Sequence, residues 1–215
     1  NIVDFEKPDG VLVQFGGQTP LKIANQLTEA GVKIYGTSAH SINLAENREE
    51  FAKIINRLKI RTPDYCIAKN YDDIYNFSEK AQFPVLVRPS FVLGGRAMQI
   101  VYSKEQLVDY VFRSAEATND HPILIDQFIE SAYEFDVDAL CDGEEVFIGG
   151  IMQHIEEAGV HSGDSSCVIP PYEMNDSVKK DIEETTKKLA LELKVIGLIN
   201  LQFAVKDNKV YVLEV

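Results

Sequence analysis

The sequence predicts an α/β layer that runs into an α+β body. Three features carry that prediction: a strand, glycine turn and helix unit near the start, short strands broken by single helices after Thr62, and two hairpins around one long helix at the end. Residues 11–15 read as a buried strand, Gly16-Gly17-Gln18 as a turn, and Thr19 as the N-cap of a helix with Pro20 at its first position and Gly31 closing it. Residues 33–36 give another short strand, and 47–58 a helix whose Phe51, Ile54, Ile55 and Leu58 keep helical spacing. Strands at 65–68, 85–88 and 98–102, with a helix near 72–81, make a compact α+β subdomain. Ser103 and Gln106 form a capping box for a helix to about residue 117, and 122–129 returns as a strand. Residues 134–140 and 145–151 flank the Asp142-Gly143 turn of a hairpin. A helix over 176–193 with a charged outer face precedes a second hairpin over 199–215. There is no internal repeat and no low-complexity linker.

At 215 residues the chain can bury a sizeable core without disulfides or metal staples, as a soluble globular protein. Its 21 Lys and Arg against 34 Asp and Glu leave a net charge of -13, which excludes a chain-wide field for nucleic acid or anionic lipid. Any polyanion must be held by a few placed cations. Cys66, Cys141 and Cys167 are odd in number and lack CxxC or Cys/His ligand spacing, which fits a reducing, cytoplasmic compartment and argues against a disulfide framework or structural zinc. No apolar run reaches the length of a membrane span, and residues 1–10 form neither a signal sequence nor a targeting helix. The strand-like run at 210–215 stops with nothing beyond it, which reads as an excised fragment.

The GxxxxGK[ST] and GxGxxG phosphate loops are missing, so neither a Walker ATPase nor a standard Rossmann dehydrogenase is expected. What remains is a strand ending in Arg88, a loop with Gly94 and Gly95, and a second strand. Such a loop lets backbone N–H groups approach phosphate, and an arginine at a strand end supplies a forked cation; taken by itself, the stretch reads first as an ordinary hairpin with a surface arginine. His161-Ser162-Gly163-Asp164-Ser165 is open to two readings, a substrate loop or a solvated turn, and is too short for a His/Ser/Asp relay. His40, His121 and His154 lack ligand spacing and read as structural. Glu134, Gln202 and Glu214 interrupt apolar strands; their oxygens suit Mg²⁺ bridging nucleotide phosphates, though each taken singly reads as a solvent-facing strand residue. Glu156, Glu157, Glu183 and Glu184 read as solvated faces.

Four longer strings tie these pieces together: Phe15-Gly16-Gly17-Gln18-Thr19-Pro20-Leu21, residues 88–98, Gly159-Val160-His161-Ser162-Gly163-Asp164-Ser165, and Asn200-Leu201-Gln202-Phe203-Ala204-Val205. They resemble the large subunit of the carbamoyl phosphate synthetase family, ATP-grasp enzymes, along essentially the whole chain. That subunit has two similar halves; Leu93-Gly94-Gly95-Arg96-Ala97-Met98 and His161-Ser162 follow the second, and Leu93-Gly94-Gly95-Arg96 with Cys141-Asp142-Gly143 resembles the bacterial form. The resemblance implies an ATP-grasp fold preceded by the C-terminal part of a Rossmann-like pre-ATP-grasp domain. Residues 1–60 would end that domain and carry the connecting helix, 61–130 form the small ATP-grasp subdomain, and 131–215 the larger, truncated one.

The activity implied is ATP-dependent phosphorylation of carbamate to carbamoyl phosphate, with Mg²⁺ or Mn²⁺. The remainder of the large subunit and a glutaminase small subunit would be partners. Two alternatives stand beside it, another carboxylate- or bicarbonate-activating ATP-grasp ligase, and a catalytically incomplete folding or interaction module. Arg88 and His161 would be catalytic, with Arg48 as a second phosphate cation. The backbone of Gln127 to Ile129 would meet the adenine edge; Gln127 departs from the usual residue there, so only its backbone contact carries over. Glu134 would accept from the ribose hydroxyls, Gly94, Gly95, Gly159, Val160, His161 and Ser162 would line the phosphates, and Gln202 and Glu214 would hold the metal. The family continues after Glu214 with Asn-Pro-Arg, whereas this chain stops at Val215. For Gln202 and Glu214 to share one ion they must be opposed on one face. The register expected has a three-residue loop, Asp207-Asn208-Lys209, with Leu201, Phe203 and Val205 sharing their face with Tyr211, Leu213 and Val215.

Overall fold

The computed structural model describes residues 1–89, 99–115, 123–160 and 162–215, which fall into two units. The larger holds Asn1–Arg61, Tyr133–Glu156 and Val160–Val215; the smaller holds Thr62–Ala132 and Glu157–Gly159.

The larger unit opens with α1 (Ile2–Glu6), β1 (Val11–Leu12), α2 (Gln18–Lys22), α3 (Ala24–Glu29) and β2 (Ile34–Tyr35), with β1 and β2 parallel. The strand expected over 11–15 is two residues long, and beyond it the Gln14 side-chain amide donates to Thr37 Oγ1 at 3.1 Å and to the Leu198 carbonyl at 3.0 Å. Thr19 is not a cap. Gly17, at φ 67° and ψ -154°, is the N-cap, a conformation glycine adopts without steric cost, and it starts the helix two residues earlier; a joint at Ile23 divides the single helix expected here. Sequence periodicity gave no sign of α4 (Ala39–Glu46), which Ser38 caps by accepting from Ser41 N–H. In α5 (Arg48–Leu58) the Asn47 side-chain Oδ1 accepts from Glu49 and Glu50 N–H, and Ile54 and Ile55 are buried.

The smaller unit is a four-stranded antiparallel sheet, order β3-β6-β4-β5, built from β3 (Tyr65–Ala68), β4 (Val85–Pro89), β5 (Gln99–Val101) and β6 (Ile123–Gln127). Its helices are α6 (Tyr71–Ser78) and α7 (Lys104–Ala115), and Ile74 and Leu107 from them meet Val85, Val87, Val101 and Ile125 in its core. The capping box at α7 is offset by one. Ser103 Oγ accepts from Gln106 N–H at 3.3 Å, while Gln106 reaches back to Tyr102 N–H at 3.0 Å.

The chain then returns to the larger unit with β7 (Tyr133–Cys141), β8 (Val146–His154), a 3₁₀ turn over Ser162–Asp164, β9 (Cys167–Val168), α8 (Asp176–Glu192), β10 (Gly197–Lys206) and β11 (Lys209–Glu214). The sheet is antiparallel in the order β11-β10-β7-β8-β9. Alternation sends Phe135, Val137, Leu201, Phe203 and Val205 into the core with Val178, Ile182 and Leu189 of α8. Asp142 shapes the β7–β8 turn by accepting from Glu144 and Glu145 N–H at 2.9 and 2.7 Å.

The last hairpin corrects the expected register. The loop has two residues, Asp207 and Asn208, both left-handed at φ 51° and 59°, with Lys206 opposite Lys209. Val210 and Val212, not Tyr211 and Leu213, share the core face. Gln202 nevertheless opposes Glu214, because a bulge between Gln202 and Phe203 pairings adds Leu213 to β11. One extra residue restores the register that the shorter turn removes. Among the described residues, no helix is long and apolar enough to cross a membrane.

Candidate functional site

The face of the larger sheet away from α8 carries polar residues at alternate positions of β7. Glu134, Asp136 and Asp138 follow one another there. Strand pairing sets Asp136 beside Gln202 and Gln202 beside Glu214, so three oxygen-bearing side chains run across three neighbouring strands. One pair along, the Asn200 amide donates to Asp138 Oδ1 at 2.9 Å. From β8, His154 sets Nε2 2.7 Å from Asp136 Oδ2 and Nδ1 3.4 Å from Glu134 Oε2. Glu134 and Asp136 are each 7% exposed and His154 3%, so the imidazole gives two buried carboxylates a polar neighbour. Next to His154, on β9, stands Cys167; burial, then Asp136 and Glu156, push its thiol up from the ordinary value. All three cysteines are free thiols.

His154, expected from the sequence to be structural, is held between Glu134 and Asp136, and the arrangement adds Asp136, which sequence reasoning passed over. The available signal was the acid at every second position in Tyr133–Cys141, which marks one polar face. Gln202 and Glu214 are opposed across β10 and β11, and their oxygen-bearing side chains are of the kind that suits a hard divalent cation. Glu214 is exposed and Gln202 half-buried. Arg48 is the first residue of α5 and half-buried. Val160, also in the larger unit, is 38% exposed, and Ser162 opens the 3₁₀ turn.

In the smaller unit Arg88 lies on β4, its backbone paired with Leu124 of β6. The Gln127 side chain is occupied: its Oε1 accepts from Asp64 N–H at 3.4 Å and its amide donates to Gln82 at 3.3 Å. Ile129 follows β6, half-buried. Gly159 has φ 95°, and a Cβ there would lie 2.8 Å from Phe128 Cε2, so glycine is required on two grounds. Gly94, Gly95 and His161 lie outside the described residues.

Residues 47–215 match the family described as carbamoyl-phosphate synthase L chain, ATP binding domain, and residues 1–44 match carbamoyl phosphate synthase preATP-grasp domain. The carbamoyl phosphate synthase large chain of Archaeoglobus fulgidus is 58% identical over 214 residues, covering 100% of this chain and 20% of the relative. The C-terminal section of the large chain from Aquifex aeolicus is 50% identical over 215 residues, covering 100% of this chain and 40% of the relative. The chain thus spans about a fifth of the length of the full large chain it matches. Among solved structures, the biotin carboxylase domain of Hydrogenobacter thermophilus 2-oxoglutarate carboxylase, in complex with MgADP, ADP and bicarbonate, is similar at a TM-score of 0.77 and 16% identity, over 99% of this chain and 49% of that one.

Proposed function

The chain belongs to the carbamoyl-phosphate synthase large-chain family, and from that premise we propose that it is the nucleotide-binding part of the half that phosphorylates carbamate to carbamoyl phosphate. Its fold is the ATP-grasp fold. The observation that carries the nucleotide reading is the Gln202–Glu214 pair, two oxygen donors opposed across β10 and β11. The match of this whole chain to 40% of a C-terminal section of a large chain supports the second half over the first.

In this reading ATP is the phosphoryl donor and carbamate, made by the remainder of the large subunit, the acceptor. Arg48 and Arg88 grip phosphate oxygens as planar forked cations. Gly94, Gly95, Gly159, Val160, His161 and Ser162 let backbone and short side chains approach the phosphates, with Arg88 and His161 nearest the reacting group. The backbone of Gln127 and Ile129 meets the adenine edge, and Glu134 accepts from the ribose. A Mg²⁺ or Mn²⁺ ion held by Gln202 and Glu214 neutralises phosphate charge when bound. Carbamate oxygen attacks the γ-phosphorus in line, so the chain's residues work by positioning and charge, and none acts as nucleophile. In the whole enzyme a glutaminase small subunit supplies ammonia.

The test is the back reaction of the parent protein, ATP formation from MgADP and carbamoyl phosphate. Activity that Glu214→Ala and Gln202→Ala abolish is expected. Bicarbonate-dependent ATP hydrolysis without any back reaction would instead assign another carboxylate-activating ligase. For the 215-residue chain, an ADP thermal shift that requires Mg²⁺ is expected; no shift at millimolar nucleotide leaves it a folding and interaction module.

A further inference from the structure

We propose that Asp136, His154 and Cys167 form a binding site for a borderline transition-metal ion of the Zn²⁺ class, separate in its donors from the Gln202–Glu214 pair. One ligand atom from each of the three lies within 4.8 Å of the other two. They come from three adjacent strands, β7, β8 and β9, with Cys167 directly opposite His154, so the sheet holds their spacing. The sequence hides the site because the donors are spread over more than thirty positions, and short ligand spacing is what a zinc signature shows.

The donor chemistry selects the ion. A carboxylate, an imidazole and a sulfur are an O, N, S set; hard Mg²⁺ and Ca²⁺ avoid sulfur, while Zn²⁺, Co²⁺ and Cd²⁺ accept all three. Three protein ligands leave a fourth tetrahedral position for water, reached from the side of Cys167, the exposed member of the set. The outer shell is also built. His154 Nδ1 lies 3.4 Å from Glu134 Oε2, the carboxylate that orients the ring while Nε2 faces the ion. Without the ion, Nε2 and Asp136 Oδ2 stand 2.7 Å apart, joined by one hydrogen-bonding proton. Tetrahedral donors at zinc distances stand about 3.5 Å apart, so the ion replaces that proton and the two side chains part by under about 1 Å. The Cys167 proton is released to solvent as the thiolate binds.

Cobalt titration of the 215-residue protein under a non-thiol reductant tests this, since Co²⁺ reports its ligands optically. One equivalent should bind with a thiolate-to-cobalt charge-transfer band, and Zn²⁺ should displace it. Cys167→Ser, an exposed position whose fold is checked by circular dichroism, should remove the band, while Cys66→Ser and Cys141→Ser keep it. Glu134→Gln should weaken Co²⁺ binding about 10- to 100-fold through the outer shell. Absence of a charge-transfer band at saturating Co²⁺, or a band that survives Cys167→Ser, overturns the proposal. The readout needs no nucleotide, so it is independent of the synthetic reaction.

Discussion

Asn175 joins the start of α8 to the turn of the last hairpin, and its removal has a magnitude that follows from two bonds. Its side-chain Oδ1 accepts from Val178 N–H at 2.9 Å, and its side-chain amide donates to Asn208 Oδ1 at 2.7 Å. Loss of an N-cap costs about 1 kcal/mol. The second bond is exposed, and takes the low end of the range, about 0.5 kcal/mol. Asn175→Ala should therefore cost about 1.5 kcal/mol, which for a chain of this size lowers Tm by roughly 3–6 °C. Asn175→Asp separates the two contributions: it still accepts from Val178 but cannot donate to Asn208. A carboxylate at a helix N-terminus returns about 0.3–1 kcal/mol, so this variant should lie within about 0.5 kcal/mol of the parent. Urea denaturation followed by circular dichroism measures both. If Asn175→Asp falls as far as Asn175→Ala, the cap is not the source and the reasoning fails; so it does if Asn175→Ala matches the parent.

Leu201→Ala, at a fully buried position under α8, should cost about 2–5 kcal/mol in the same denaturation experiment. Gly159→Ala puts a side chain at φ 95° against Phe128 and should cost about 1–2 kcal/mol, read by thermal unfolding; an unchanged midpoint would show that the loop relaxes freely. Glu214→Ala, at an exposed position, should leave the thermal midpoint of the free protein unchanged while removing the Mg²⁺ dependence of ADP binding by calorimetry. Backbone N–H bonds from Glu145, then Glu144, hold the Asp142 carboxyl below its ordinary value. Its contribution to the hairpin is thus complete above the ordinary Asp range and disappears as pH falls through the lowered folded value, which an NMR titration of the Asp142 carboxyl will follow.

Much of the architecture was legible because burial imposes its period on the sequence. Residues 65–68, the apolar face of α5 and the caps at Asn47 and Ser103 follow from local pattern and side-chain chemistry. Failures occurred where one residue's conformation decides the outcome. Gly17 starts α2 early, and the Leu213 bulge lets a two-residue turn coexist with the Gln202–Glu214 pairing; neither changes the hydrophobic pattern. The polar face was half legible. Glu134, Gln202 and Glu214 stood out as polar residues within apolar strands, but the contact of His154 with Asp136 and Glu134 depends on strand pairing across a hairpin, which no local spacing encodes.

The order in which the chain visits its two units sets a timetable for folding. Synthesis runs from the N-terminus, so the smaller unit has all but Glu157–Gly159 available once Ala132 has emerged. Its partner cannot close so early. β10 is paired on both sides in the larger sheet, and Ile54 and Ile55 of α5 belong to the same core cluster as Leu201 and Phe203, made some 150 residues later. Doubling a loop adds only about 0.6 kcal/mol of closure entropy, so the cost falls on rate: α5 waits, its apolar face uncovered, for the last strands. Pulse-labelling during synthesis should show protection first at Val85, Val87 and Ile125, and in Ile54 and Ile55 only after β10 is complete.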